Sequence, residues 1–420
     1  ASPKPASFRL ISLLENTPFP PRSAYPWHLA SSSLWMAGMS LQGFLFTWLL
    51  VGVLEVPPDQ TGVARSLAEF PPLAILLIGG VLGDRFNGRS YLAVMHLLMC
   101  LPPLAIAMVF ELGLLSYWWV VTFGVLMAGI QSLSDPVRQS TLARVARFDI
   151  QRAVTIMTIA TSLVGIGGMY VGGQLERLGL ASVLVIQSLT FLAGLVAVWR
   201  LPSLPGARSA QRLNIGAGLK AVMQMPLVRN VIGLNFLSSL FNAGAYIIVI
   251  PYIVKEVYLG GPETFALVLI IFTTGAIGSN VALLPFMPLR RPGRLFLILQ
   301  LTRVAILYVI WLAPTLKLFY AALFVWGINQ GMTATLPRAM VQELAPSGEG
   351  ARILSVLILS FMVSAPVSAI LLGVLVERFD PMAGLVPGMA ISLVIFGIGV
   401  MKSGLWSYQS TANVPRGNSG

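Results

Sequence analysis

Residues 79–89 read GGVLGDRFNGR, and they follow FPPLAILLI at 70–78, a run without any ionisable side chain. The later stretch brings one carboxylate, Asp84, and two guanidiniums, Arg85 and Arg89, together with four glycines. Charged groups are costly inside a membrane and need a functional reason there. We therefore interpret 79–89 as a short polar loop that ends a membrane-spanning helix, with Asn87 and Gly88 forming a tight turn.

The composition is that of an all-α membrane protein. Of 420 residues, 56% are hydrophobic and only 10% are charged, and the mean hydropathy is +0.83. Soluble domains carry about 25% charged residues. The long apolar runs exclude a β-barrel, whose strands alternate weakly, so helices must cross the lipid. A net charge of +12 then indicates basic loops facing anionic lipid rather than a nucleic-acid partner.

Apolar runs of about 20 residues predict twelve transmembrane helices. The predicted spans are 29–51, 62–83, 90–111, 117–143, 152–175, 179–199, 228–253, 263–286, 294–313, 317–343, 351–376 and 382–404. The polar interval 200–227 separates two six-helix bundles, 29–199 and 228–404. Residues 1–28 form an N-terminal segment with a short amphipathic helix predicted at 8–16, and 405–420 form a tail whose VPRG resembles a protease site and a cloning remnant.

Basic residues are distributed very unevenly between the two sides of the predicted bundle. If both termini are cytoplasmic, the loops on the opposite side hold only Arg65, Arg177, Lys255, Lys317 and Arg378. The positive-inside rule therefore predicts cytoplasmic termini. We expect a monomer in a bacterial inner (plasma) membrane, with the lipid bilayer as its surroundings.

The two halves of the sequence resemble each other. GIQSLSDPVRQSTLARV at 129–145 compares with GINQGMTATLPRAMVQEL at 327–344, and Pro136 and Pro337 are 201 residues apart. Glu176 and Glu377 repeat with the same separation. Two six-helix repeats are a known transporter plan, with the substrate site near the midplane between them.

The opening stretch resembles motif A of the major facilitator superfamily, roughly G-x-x-x-D-R-x-G-R, and the resemblance extends over about 28–404. The residues that carry it are Gly79, Gly80, Gly83, Asp84, Arg85, Gly88 and Arg89. It implies a secondary transporter that works by alternating access. It also implies that the Asp84 carboxylate meets the start of span 11 and Arg138 when the cytoplasmic side is closed, with Asp135 and Arg338 as further gating partners.

A narrower resemblance concerns spans 4, 5 and 10. DPVRQSTLARV at 135–145, DIQRAVTI at 149–156 and RAMVQELAP at 338–346 are similar to the macrolide and siderophore exporter branch. This resemblance implies export of an amphiphilic organic solute. In GMYVGG at 168–173, Met169 stands where the antiporter motif of span 5 has proline. Proton coupling therefore stays an open alternative.

Five charged residues remain as intramembrane candidates once the loop residues are set aside: Glu69, Asp135, Arg138, Arg303 and Arg338. Glu69 and Asp135 are the proton-coupling candidates, and Glu69 lies either at the cavity or at the outer interface. Asp135 and Pro136 are interpreted as a cap and break within span 4. Arg138 pairs either with Asp135 on one helix face or with Asp84. Arg303 has no evident partner and is expected to snorkel.

Uncharged polar residues predict the wall of a substrate cavity, with interhelical hydrogen bonding as the alternative. These residues are Gln42, Asn235, Asn242, Tyr246, Asn329 and Gln330. Asn235, Asn242 and Tyr246 are spaced for one helix face.

Other functions are disfavoured. The sequence has no G-x-x-x-x-G-K-[ST] motif for ATP, and it shows no nucleophile–base constellation, so we predict neither an enzyme nor a cofactor. One cysteine and two distant histidines do not predict a metal site. Two rivals remain. A lipid or lysolipid flippase would show a lateral apolar opening. A non-transporting receptor or assembly factor on the same fold would lack a central cavity.

Overall fold

The computed structural model describes residues 24–78, 87–146, 149–205, 215–287, 289–346 and 349–410. Twelve long helices run through this part of the chain, in the number and order predicted. They are α1 (Ala24–Val53), α2 (Pro58–Ile78), α3 (Gly88–Glu111), α4 (Tyr117–Val145), α5 (Ile150–Gly173), α6 (Leu180–Trp199), α7 (Pro226–Val257), α8 (Pro262–Phe286), α9 (Pro292–Trp311), α10 (Leu316–Leu344), α11 (Gly350–Arg378) and α12 (Ala383–Met401). The predicted all-α membrane fold is confirmed.

Within the described residues, ten of these helices are long and apolar enough to cross a membrane by themselves. The described part of α2 contains Arg65 and Glu69, and α10 contains Asn329 and Gln330. These four side chains lie on the interior side of the bundle, at cavities or buried contacts. α10 is therefore less apolar because it supplies polar groups to the interior.

Side-chain caps define where two of the helices begin. Asn87 precedes α3, and its Oδ1 accepts a hydrogen bond from the backbone N–H of Arg89 at 3.1 Å. Asp149 precedes α5 and accepts from the backbone N–H of Arg152 at 2.9 Å. Such caps satisfy N–H groups that have no partner within the helix. The predicted tight turn at Asn87 and Gly88 is therefore wrong, because Gly88 is the first residue of α3.

Prolines do not interrupt the helices in which they lie. α2 begins at Pro58, well before Pro71 and Pro72, as its required length predicts. α4 is continuous through Pro136, so the predicted break after Asp135 is wrong. Membrane helices tolerate proline because neighbouring helices and hydroxyl side chains can satisfy the freed backbone groups.

The two six-helix halves, α1–α6 and α7–α12, meet closely at one end of the bundle. We call this the far end, because it is opposite to the end where α1 begins and α12 ends, the near end. Here α2 packs on α11: Gly62 lies against the carbonyl of Ala369, and a Cβ at Gly373 would lie 2.5 Å from the carbonyl oxygen of Pro58. Ser66 also donates to the carbonyl of Pro366 at 2.6 Å.

A second set of far-end contacts joins α7 to α1 and α2. The Tyr252 hydroxyl donates to the carbonyl of Val56 at 2.5 Å and accepts from Thr61 at 2.7 Å. The Lys255 ammonium lies 2.9 Å from the Glu55 carboxylate and donates to the carbonyl of Val51 at 2.6 Å.

A third set of contacts joins α5 to α8. Gly173 allows Ala266 to approach, and the exposed pair Arg177–Glu263 spans 3.9 Å beyond them. Each hydrogen bond and ion pair that joins the two halves, within the described residues, lies in the far half of the bundle. The far end is therefore closed, while no such contact joins the described residues at the near end.

Candidate functional site: three cavities

A central cavity of about 240 Å³ lies between the two halves. Its wall comes from α1, α2, α5, α7 and α8. It is mainly apolar, with Met39, Phe44, Met169, Tyr246 and Phe265 among its lining residues. The Tyr246 ring lies on a π-helical turn of α7 and stacks on Phe272 with the ring centroids 4.1 Å apart. π-Turns often occur at functional positions.

A second cavity, of about 250 Å³, continues from the central one into the N-terminal half. Gln42, Glu69 and Gln131 line it, and Arg65 lines both cavities. The Arg65 guanidinium lies 3.7 Å from the Glu69 carboxylate, one turn along α2, and 5.6 Å from the centre of the Phe46 ring. The structure thus places Glu69 in a cavity wall rather than at the outer interface.

Gln131 connects this cavity to the carboxylate of Asp135. Its amide nitrogen donates to both oxygens of Asp135, at 2.9 and 3.1 Å, and its carbonyl oxygen accepts from the Trp35 indole. Arg138 donates to Ser134 at 3.1 Å and lies over the Trp35 ring, 4.2 Å from its centre. Among the described residues, Asp135 and Arg138 do not form a direct ion pair.

Behind this wall lies a buried polar network that was not predicted from the sequence. The His96 ring lies 3.0 Å from the Ser31 hydroxyl and 3.0 Å from the carbonyl oxygen of Phe191. Gln187 donates to Gln42 at 2.9 Å. His96 and Gln187 interrupt otherwise apolar runs, and this interruption is the sequence signal from which the network could have been predicted.

A third cavity, of about 230 Å³, lies within the C-terminal half between α7, α9, α10 and α11. Polar side chains line much of it: Asn235, Ser238, Ser239, Asn242, Arg303, Gln330, Thr333 and Arg338. Asn242 accepts from the Trp326 indole at 3.0 Å and donates to Gln330 at 2.5 Å. Asn235 and Asn242 therefore share this wall, whereas Tyr246 lines the central cavity.

Arg303 is buried at the back of the third cavity, with 2% of its surface exposed. Its guanidinium donates to Ser238 at 2.5 Å, to Gln300 at 3.2 Å and to Thr333 at 3.1 Å. Two further bonds, at 3.2 and 3.3 Å, go to the amide oxygen of Asn329. The prediction that Arg303 snorkels is wrong. Asn329 holds this arginine instead of lining the cavity.

The other predicted positions divide between described and undescribed parts of the chain. Arg338 is exposed in the third cavity. Gly88 and Arg89 begin α3. The remaining motif residues Gly79, Gly80, Gly83, Asp84 and Arg85, the helix predicted at 8–16 and the end of the tail lie outside the described residues. Within the described part, no group of three or more side chains could hold a metal ion.

Chemically, the cavities offer an organic molecule apolar rings, amides and guanidiniums. The N-terminal cavity adds the carboxylate of Glu69, whereas the C-terminal cavity has no carboxylate among its lining residues. Ligand sites in proteins are typically such clefts, mostly apolar with a few placed polar groups.

Comparisons with known proteins agree with this architecture. A nucleoside transporter structure, NupG, has a TM-score of 0.69 at 13% identity, covering 92% of this chain and 98% of its own. A bacterial homolog of the human lysosomal transporter Spinster, in an inward-facing and unoccupied conformation, has a TM-score of 0.67 at 12% identity, covering 92% and 96%. A D-xylose–proton symporter has a TM-score of 0.67 at 13% identity, covering 89% and 96%.

At these identities the structures show the fold alone. No curated protein matches the sequence significantly. The sequence profile of the Major Facilitator Superfamily matches residues 29–368, most of the chain. The resemblance of the 79–89 stretch to motif A and the twelve-helix bundle agree with that match. The chain therefore belongs to the Major Facilitator Superfamily of transporters.

Proposed function

We propose that the protein is a secondary active transporter that exports an amphiphilic organic solute by alternating access. The observation that supports this most strongly is the central cavity between the halves, combined with far-end contacts that join α2 to α11, α1 to α7 and α5 to α8. A cavity between two halves that are joined at one end is what a cycle of alternating exposure requires.

The solute is amphiphilic because the cavity walls are mixed. Phe44, Tyr246 and Phe265 offer ring faces in the central cavity, and Arg65 brings a charge to the same wall. Met169, which replaces the proline of the antiporter motif, also lines this cavity. A methionine side chain adapts to ligands of different shape, which suits a transporter of bulky apolar groups.

Protons drive the export through Glu69, Asp135 or both. Glu69 lines the N-terminal cavity beside Arg65, and Asp135 is connected to the same cavity through Gln131. Carboxylates inside a membrane protein commonly act in proton relays. Protonation of Glu69 would release Arg65, which lines the wall shared by the two cavities.

The protein is a monomer in a bacterial inner membrane, with both termini in the cytoplasm. The near end then faces the cytoplasm, and the joined far end corresponds to a closed outer side. In the alternate state the Asp84 carboxylate meets the start of α11 near Gly350 and Arg138, which favours closure of the cytoplasmic side. A helix N-terminus stabilises a nearby carboxylate by roughly 0.3–1 kcal/mol.

Flux measurements in sealed proteoliposomes test this proposal. A panel of cationic, anionic and neutral amphiphiles is offered with and without an imposed pH gradient. We expect gradient-dependent flux of at least one class, and Glu69→Gln with Asp135→Asn should lose the gradient dependence while exchange continues. Glu111→Gln, an exposed carboxylate at the end of α3, serves as the matched control. Flux no greater than in empty liposomes for every class would contradict the proposal.

A further inference from the structure

We propose that the cavity of the C-terminal half binds an anionic group, a carboxylate or a phosphate, of the transported amphiphile. Arg338 contacts the anion directly, and the buried charge of Arg303 attracts it. This inference rests on the proposed function, because it names the chemical class of the solute. It gives Arg338 a role in the substrate site, different from the gating role that the resemblance implies.

The charge of Arg303 is the first observation behind this proposal. All the oxygens that accept its five hydrogen bonds belong to neutral side chains: Asn329, Thr333, Ser238 and Gln300. They satisfy the N–H donors without neutralising the positive charge. A charge buried inside a membrane protein is costly unless it is paired or has a function. Arg303 therefore keeps a positive potential in a cavity whose lining contains no acidic residue.

Arg338 is the second observation. Its side chain lines the same cavity and is exposed there, and among the described residues no hydrogen bond or ion pair engages it. A guanidinium offers a planar set of donors that matches a carboxylate or phosphate in two parallel hydrogen bonds. Arg338 is thus free to hold an anion, while Arg303 is fixed behind the wall.

The rest of the wall fits the head and tail of an anionic amphiphile. Asn235 and Ser239 can donate to further anion oxygens on the α7 side. On the α11 side, Leu357, Ile358 and Phe361 line the cavity with apolar groups, and Phe361 is 45% exposed. An anionic group between the arginines would leave its hydrocarbon chain on the α11 face.

Four probes with the same six-carbon chain distinguish the head groups: hexyl phosphate, hexanoate, hexylammonium and hexan-1-ol. Their binding is measured calorimetrically to the full chain in phosphatidylcholine nanodiscs, with empty nanodiscs as the baseline. We expect the two anions to bind more tightly than the alcohol and the cation. The ratio of the two anion affinities then separates a phosphate head group from a carboxylate.

Arg338→Gln should weaken hexyl phosphate binding about tenfold or more, because it removes charge-assisted hydrogen bonds. Arg338→Lys keeps the charge but loses the planar guanidinium, so its affinity for hexyl phosphate should lie between those of Arg338→Gln and wild type. If Arg338→Gln does not fold, the affinity of Arg338→Lys tests the anion site in its place. Arg378→Gln, an exposed arginine at the far end of α11, removes the same charge from the same half and should bind like wild type. The anion site would be overturned if both Arg338 variants bound hexyl phosphate like wild type, or if wild type bound hexan-1-ol as tightly as hexyl phosphate.

Flux of the same probes separates this proposal from the broader one. If hexyl phosphate is transported equally by wild type and Arg338→Gln, transport stands and the anion site is wrong. If the anions bind through Arg338 yet no probe crosses proteoliposomes, the site stands and the proposed transport is wrong.

Discussion

The interiors of the two halves differ in how they balance charge. In the N-terminal half, Arg65 and Arg138 lie near two carboxylates, Glu69 and Asp135, so the formal charges cancel. In the C-terminal half, Arg303 is surrounded by neutral amides and hydroxyls, and no acid lines its cavity. Two repeats with the same helices thus have different electrostatics.

This difference suggests a division of labour. A carboxylate can bind and release protons, whereas a guanidinium stays charged and suits an anion. The N-terminal half therefore has the groups for energy coupling, and the C-terminal half has the groups for recognition. Both halves contribute to the wall of the central cavity, which shares Arg65 with the N-terminal cavity. Both halves can therefore act on one solute.

The largest effect is expected at Arg303. Arg303→Gln removes the buried charge, and we expect hexyl phosphate affinity to fall roughly 100-fold, because two unit charges several ångströms apart attract by about 2–4 kcal/mol at an effective dielectric constant of about 20. Arg303→Lys keeps the charge and should lose less affinity for hexyl phosphate than Arg303→Gln does. Calorimetry in nanodiscs measures both variants after a thermal melt has shown that they are folded. Equal losses in the two variants would mean that geometry, not charge, matters here.

A smaller effect is expected where the halves meet. Gly62 has no room for a side chain, because a Cβ would overlap the carbonyl of Ala369 in α11. Gly62→Leu should therefore oppose closure of the far end and slow transport roughly tenfold, since overpacking costs about 1–3 kcal/mol. Distances between spin labels at the far ends of α2 and α11 should increase.

Gly233→Ala is the matched control for this substitution, because no atom lies within 4 Å of the added Cβ. It should leave both transport and the label distances unchanged. If Gly62→Leu behaved like Gly233→Ala, closure of the far end would not depend on the contact between α2 and α11.

The smallest effect is expected at the Lys255–Glu55 pair, which joins α7 to α1 across the halves. Its partners are 2.9 Å apart, but Glu55 is largely exposed. Exposed ion pairs contribute about 0.2–1 kcal/mol, so Lys255→Met should shift the population of far-end-closed molecules by about fivefold at most. The label distances should respond to salt in wild type and not in the variant. If the label distances still respond to salt in Lys255→Met, the salt dependence comes from other charges.

The helix count and order could be predicted from the sequence because long apolar runs have few alternatives in a membrane. The boundaries agree closely, as α4 and α8 show. Local details at proline and glycine were less predictable. Asp135 and Pro136 look like a cap and break, yet α4 continues, because packing and polar neighbours decide whether a membrane helix breaks.

The candidate site was predictable in its residue types but not in its partners. Asn242 and Gln330 line the C-terminal cavity, and their direct contact joins helices far apart in sequence. Arg303 was misinterpreted because its acceptors come from α7, α9 and α10, and no local pattern brings them together. Long-range contacts of this kind require the folded structure.

The most direct test of the division of labour compares two variants in one flux experiment with hexyl phosphate. In proteoliposomes, solute exchange without a gradient and accumulation driven by a pH gradient are measured side by side. We predict that Glu69→Gln combined with Asp135→Asn keeps exchange and loses gradient-driven accumulation, whereas Arg338→Gln loses both at low solute concentration. Retained accumulation in the carboxylate variant, or the same pattern of loss in the two variants, would contradict the account.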